Sequence, residues 1–193
     1  MNEQVWWYLS RSSGIVAMVL LVMSVVCGVL LSTRAMRHLD RPAWLLELHG
    51  WFGGTALAMT ALHLLGLALD GYVDFGLADL LVPGVSEYRP VAVAIGVVTL
   101  YALVAVQLTA VLRRRLPTRL WRGVHVLSYA LVWGALIHAG AAGSDTVNRG
   151  YQVLALVLTM LVVAATILRI VSPGRGTHAT PADRATVGPG SHP

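Results

Sequence analysis

The stretch HGWFGGTALAMTALH, residues 49–63, opens and closes on histidine. Between the two lie only glycine, aromatic, aliphatic and small residues, with Thr55 and Thr60 the sole hydroxyls, and the run stays apolar to Leu69. Ionisable side chains inside so apolar a segment carry a cost, which makes His49 and His63 the first candidates for function. A second segment repeats the pattern. WRGVHVLSYALVWGALIHAG, residues 121–140, holds His125 and His138.

Both segments sit in a chain built for lipid. Of its 193 residues, 56% are hydrophobic and 12% charged. Long apolar runs with few charges are membrane spans. Five are expected, at about 14–31, 44–69, 91–112, 121–140 and 151–171. Each is near the ~20 residues that cross a hydrocarbon core of ~30 Å. The fold class expected is therefore all-α, an integral membrane bundle of five transmembrane helices. The first run follows a segment with Glu3 and no basic residue before Arg11. It is longer than a signal peptide core and is expected to be a retained helix. Residues 172–193 are rich in Pro, Gly and small polar residues, as expected of a disordered tail.

Arginine placement sets an expected orientation. Arg34, Arg37 and Arg41 follow the first run, Arg113, Arg114, Arg115, Arg119 and Arg122 the third, and Arg175 and Arg184 lie in the tail. The opposite side has only Arg11, Arg89 and Arg149, together with Asp70, Asp74, Asp79, Glu87 and Asp145. The positive-inside rule puts the N-terminus outside and the C-terminus in the cytoplasm. The basic clusters are thus topology anchors in contact with membrane lipid, and no nucleic-acid partner is expected. Trp6, Trp7 and Tyr8 fit an outer interfacial belt, and Trp44 and Trp121 an inner one. The single cysteine, Cys27, excludes a disulfide within the chain, and no C-x-x-C-H exists for covalent haem attachment. The expected location is the plasma (cytoplasmic) membrane of a bacterium.

One span separates the two histidine-bearing spans, so they run in the same direction. His49 and His125 then lie near the inner leaflet, and His63 and His138 near the outer one. Fourteen residues of helix rise ~21 Å and thirteen ~20 Å, so the levels match. Two facing imidazoles at each of two depths suit two b-type haems with bis-histidine axial ligation to iron. Glycines near the histidines (Gly50, Gly53, Gly54, Gly66, Gly123 and Gly134) leave room for a porphyrin face or serve close helix packing. The spacing holds a tension. Fourteen residues return nearly to one face of an ideal helix, whereas thirteen fall roughly 140° away.

These spacings, H-x13-H in one span and H-x12-H in a span two further on, resemble the ferric reductase-like transmembrane domain. The segments LSRSSG (9–14), LHGWFGG (48–54), LLVPGVSEYRP (80–90), WRGVHVLSY (121–129) and AGSD (142–145) support the resemblance, which covers about residues 5–171. That domain is shared by ferric reductases, NADPH oxidases and the haem-binding membrane subunit of a periplasmic methionine sulfoxide reductase. The resemblance implies a ferric reductase-like di-haem domain over 1–171. It implies an inner haem on His49 and His125, an outer haem on His63 and His138, and electron transport across the membrane. It also implies a role for Arg11 at the outer haem, as a propionate partner; an interfacial arginine that snorkels is the other reading. The sequence departs from larger relatives in carrying no G-x-G-x-x-G and no FAD or NADPH module. The expected molecule is an electron-transfer subunit of oxidoreductase type whose cytoplasmic-side donor is a separate flavoprotein or quinol. Its outer-side acceptor is ferric iron, oxygen or a partner redox protein. Where the oxidases carry an aromatic between the haems, this chain has Leu131, with Trp133 two residues on.

Two other functions fit histidines in a membrane. One is a non-redox scaffold or partner-binding subunit with structural histidines. The other is a transition-metal transporter, for which Thr55, Thr60, Ser128 and Tyr129 offer little polar route between the levels. The outer loop 70–90, acidic and partly apolar, is expected to cover the outer haem, dock a partner or stay solvated.

Overall fold

The computed structural model describes residues 4–33, 43–71, 73 and 75–172. All regular structure among them is helical: α1 (Gln4–Ser32), α2 (Ala43–Leu69), α3 (Leu77–Leu81), α4 (Pro90–Val111), α5 (Thr118–Ala142) and α6 (Arg149–Val171). A single 3-10 turn, Leu112–Arg114, extends α4. Five of the helices are long and apolar enough to cross a membrane. Helices suit that setting because each satisfies its backbone hydrogen bonds internally. Their ends carry ordinary stop and start chemistry. Pro90 opens α4 where a missing N–H costs nothing. The Asn148 side chain caps α6 by accepting from the Gly150 and Tyr151 amides at 2.8 and 3.3 Å.

Four of the expected spans fall within a few residues of the observed helices. The first does not. α1 begins at Gln4, ten residues before the expected start at 14. Arg11 therefore lies two turns inside the helix. The charge is tolerated there because Asp145, in the α5–α6 connection, pairs with it. The expected tail lies outside the described residues apart from Ser172, as do Arg34, Arg37, Arg41 and Asp74.

α1 is the hub. It packs most extensively on α2 and also meets α5 and α6, while α4 packs on α5. The α1–α2 seam repeats every seven residues. Gly14 meets His63 and Gly28 meets His49. Midway between them, Leu21 and Ala56 share a buried cluster with Leu103 and Leu131. Contacts that recur at sevens are the signature of two helices in coiled-coil-like packing. The α4–α5 seam runs the same way at its outer end, through Gly96 against His138 and Thr99 against Gly134, and then reaches Leu103 and Leu131. A second core joins Met18, Val22, Val25 and Val29 of α1 to Val132 of α5 and to Leu158, Val162 and Ala165 of α6.

The two histidine-bearing helices are not in this list of seams. α2 and α5 have no close-packed contact face with each other. Each is clamped to a neighbour, α2 to α1 and α5 to α4, and the histidines project into the space between.

Candidate functional site

The inner level brings His49 and His125 together. Their ring centroids are 5.8 Å apart and the planes meet at 76°. Two imidazoles bound to opposite sides of one metal, each by a bond of about 2 Å, carry their centroids roughly 6 Å apart once the half-width of each ring is added. The inner pair therefore has the separation that a single iron between them requires. At the outer level, His63 and His138 line one cavity of about 310 Å³. That lies at the lower end of the ~300–1,000 Å³ typical of small-molecule and cofactor sites.

Three of the four rings are held by the same device. His49 donates from Nδ1 to the Ser24 carbonyl at 2.8 Å, His63 to the Ser10 carbonyl at 2.7 Å and His138 to the Ala92 carbonyl at 2.8 Å. A carbonyl oxygen only accepts, so each of these nitrogens carries the proton and each Nε2 keeps its lone pair free for a metal. This is the outer-shell bond that metal-ligating histidines use to fix ring orientation and raise ligand basicity. A glycine four residues after each carbonyl makes the approach possible. A Cβ at Gly14, Gly28 or Gly96 would come within 3.0, 3.2 and 2.6 Å of the facing imidazole. Ser24 and Ser10 also bring their hydroxyls to 3.2 and 3.4 Å from the His49 and His63 Nδ1 atoms.

His125 lacks the device. Its Nδ1 is buried and has no hydrogen-bond partner among the described residues. Its ring stacks on Trp121 instead, with centroids 5.5 Å apart and planes at 28°. The thirteen-residue spacing explains this. Two sevens down the seam from His138, past Leu131, the position that the register turns toward α4 is 124. His125 is one residue further round, about 100° off the seam, and finds no α4 carbonyl. Helix α5 therefore accommodates the spacing by forgoing one histidine–carbonyl hydrogen bond. Trp121, expected in the inner interfacial belt, is the partner of that ring.

The outer cavity is bordered by the 70–90 loop and α3. Asp70, Phe75, Leu80 and Tyr88, from the 70–90 loop and α3, line it beside the two histidines. Asp70 is buried, and Phe75 and Tyr88 meet edge to face at 5.8 Å. The loop is tied down twice. The Tyr101 hydroxyl donates to the Leu81 carbonyl, and Arg89, in a left-handed conformation with φ 43°, donates to the Ala141 carbonyl at 2.6 Å. Arg11 lines the cavity with His63 and His138, and its guanidinium is engaged by Asp145. Its Nε donates to Asp145 at 2.8 Å, its Nη2 pairs with the same carboxylate, and its guanidinium lies 3.8 Å over Trp7. The remaining Nη1 group is the part of the fork not bonded to Asp145.

Of the glycines noted in the sequence, Gly53, Gly66 and Gly134 serve packing, against Gln107, Ser10 and Thr99 respectively. Gly50, Gly54 and Gly123 face open space. The glycines that matter most to the histidines, Gly14, Gly28 and Gly96, were missed. A signal for two of them was present: S-x3-G occurs at 10–14 and again at 24–28, with the same fourteen-residue spacing as His49 and His63.

A family model described as a domain of unknown function, DUF8596, matches residues 5–145. The chain belongs to the DUF8596 family. No curated protein and no solved structure is significantly similar to it. The DUF8596 unit contains α1 to α5, all four histidines, their three carbonyl partners and the Arg11–Asp145 pair, and it ends before α6. Among the described residues of this DUF8596 chain, no three His, Cys, Asp or Glu converge as a set for a bare metal ion. A porphyrin iron asks less of a protein, since the macrocycle supplies the equatorial nitrogens and the chain supplies only the axial ligands. The donor set fits haem.

Proposed function

We propose that this chain is a multi-pass membrane cytochrome that holds two b-type haems and passes electrons between the two faces of the membrane. The observation that carries the reading is the set of three Nδ1–H bonds to helix carbonyls. A histidine needed only for helix packing is satisfied by one such bond. Here the bonds also leave an unprotonated Nε2 on His49, whose ring meets that of His125, and on His63 and His138, which line one cavity. The resemblance to ferric reductase-like membrane domains supports the same conclusion.

In this reading His49 and His125 hold the inner haem, and His63 and His138 the outer one. A bound haem supplies reversible one-electron chemistry at each level. The chain's own residues do the rest. The α1 and α4 carbonyls orient three ligands, and the aliphatic layer of Leu21, Ala56, Leu103 and Leu131 separates the two levels and excludes water between them. Where relatives carry an aromatic bridge, Leu131 is buried at 3% exposure, and Trp133 packs instead on the α1–α6 core. Arg11, steadied by Asp145, presents its remaining N–H donors to an outer propionate. The arginine distribution favours an outside N-terminus and a cytoplasmic C-terminus in a bacterial plasma membrane. Electrons then enter from a cytoplasmic flavoprotein or a membrane quinol. They leave to ferric iron, oxygen or a redox partner outside.

The test is haem content. Protein purified in detergent after expression with added haem should give two b haems per chain by pyridine haemochrome, and about one in His49→Ala or His63→Ala. A folded, monodisperse sample without haem would sink the reading. The histidines would then be interhelical hydrogen-bond donors of a scaffold subunit.

A further inference from the structure

The four histidines are not equivalent, and the difference falls on one residue. His49, His63 and His138 are each pinned at Nδ1 by a carbonyl and backed by a glycine. Among the described residues, the His125 Nδ1 is buried and has no hydrogen-bond partner, and neither has Nε1 of the Trp121 indole stacked on it. Stacking fixes the plane of the His125 ring but does not polarise its N–H. Without an acceptor at Nδ1, the ring lacks the fixed hydrogen bond that holds the other three and is freer to turn in its own plane. Loss of such an outer-shell partner typically costs 10–100-fold in metal affinity.

We infer that His125 is the replaceable ligand of the inner site, and that the inner site, not the outer, accepts an exogenous small ligand on its His125 side. This rests on the di-haem reading and deepens it. The outer site has both rings pinned and stays closed to such a ligand even though its two histidines line a cavity. The inner site has one anchored ring, His49, which holds the iron, and one that yields.

Carbon monoxide is the probe, because it binds reduced haem only where an axial ligand can leave. The wild-type protein, with two haems per chain confirmed first, is reduced with dithionite and its spectrum taken with and without the gas. About half of the haem should shift. In His49→Ala, which loses the inner haem, the remaining haem should not shift. In His125→Ala the haem count should stay nearer two than in His49→Ala, since His49 alone retains the inner haem. Two haems with no response to carbon monoxide overturn the inference and leave the di-haem reading standing. So does a response that persists in His49→Ala, or equal haem loss in the two inner variants. No haem at all in folded protein is the failure of the di-haem reading itself.

Discussion

Gly96→Ala tests the histidine clamp most directly. The added Cβ would sit 2.6 Å from both Cε1 and Nδ1 of His138, against the 3.4–4 Å of ordinary contact. The ring must retreat by about 1 Å, and the 2.8 Å bond to the Ala92 carbonyl is lost. Overpacking of this kind costs ~1–3 kcal/mol. The lost hydrogen bond adds ~0.5–1.5 kcal/mol. Alanine's better helix propensity returns ~1 kcal/mol. The net expectation is a loss of roughly 1–3 kcal/mol together with a 10–100-fold weaker hold on a metal at the outer level. The control is Gly54→Ala, where nothing lies within 4 Å. It should be neutral or stabilising by up to ~1 kcal/mol. Thermal unfolding in detergent and haem per chain read both effects. If Gly96→Ala matches wild type in both, or Gly54→Ala is as damaging, the clamp is not what positions His138.

The same geometry predicts level selectivity on α1: Gly14→Ala should deplete the outer haem and Gly28→Ala the inner one, as resolved by the number of steps in a redox titration. Leu131→Ala should cost ~2–5 kcal/mol in thermal unfolding, since it opens the dry layer between the levels, whereas Val98→Ala on the exposed face of α4 should be nearly silent. For Arg11 and Asp145, a double-mutant cycle with Arg11→Ala and Asp145→Ala should give a coupling of ~0.5–3 kcal/mol; additive losses would mean the pair does not act as a unit. In a Cys27→Ser background, T146C should react with an impermeant maleimide in intact cells and T118C only after lysis. The reverse pattern would invert the proposed orientation.

Much of this architecture was legible in the sequence because the signals that govern it are local. Apolar run length placed the helices, and the ends of α2, α4, α5 and α6 fell within a few residues. The four histidines stood out because charge-bearing groups at depth are rare. The α1 start was misplaced because the apolar run begins only after Ser10, Arg11, Ser12 and Ser13, and the distant partner Asp145 is what makes Arg11 an interior residue of the helix. The clamping glycines were missed because a glycine's purpose depends on the helix opposite, which a single chain reading cannot see. The thirteen-residue spacing was visible, but its outcome was not. Whether α5 kinks, tilts or forgoes a hydrogen bond depends on where the α4 carbonyls lie.

The gap between α2 and α5 has a consequence for assembly. Each of the hairpin-like pairs α1–α2 and α4–α5 carries one histidine for each level, so in the proposed di-haem reading neither pair can complete a site alone. Insertion can finish with both pairs formed and joined mainly through the packing of α1 on α5 and α6. A group that binds across the gap then acts as the last structural member of the bundle, by mass action: at a hundred times its dissociation constant it adds ~2.7 kcal/mol to whatever holds the halves together. The supply of that group during synthesis would decide how much of the newly inserted chain survives membrane proteolysis, and abundance in the cell would track it before any electron moved.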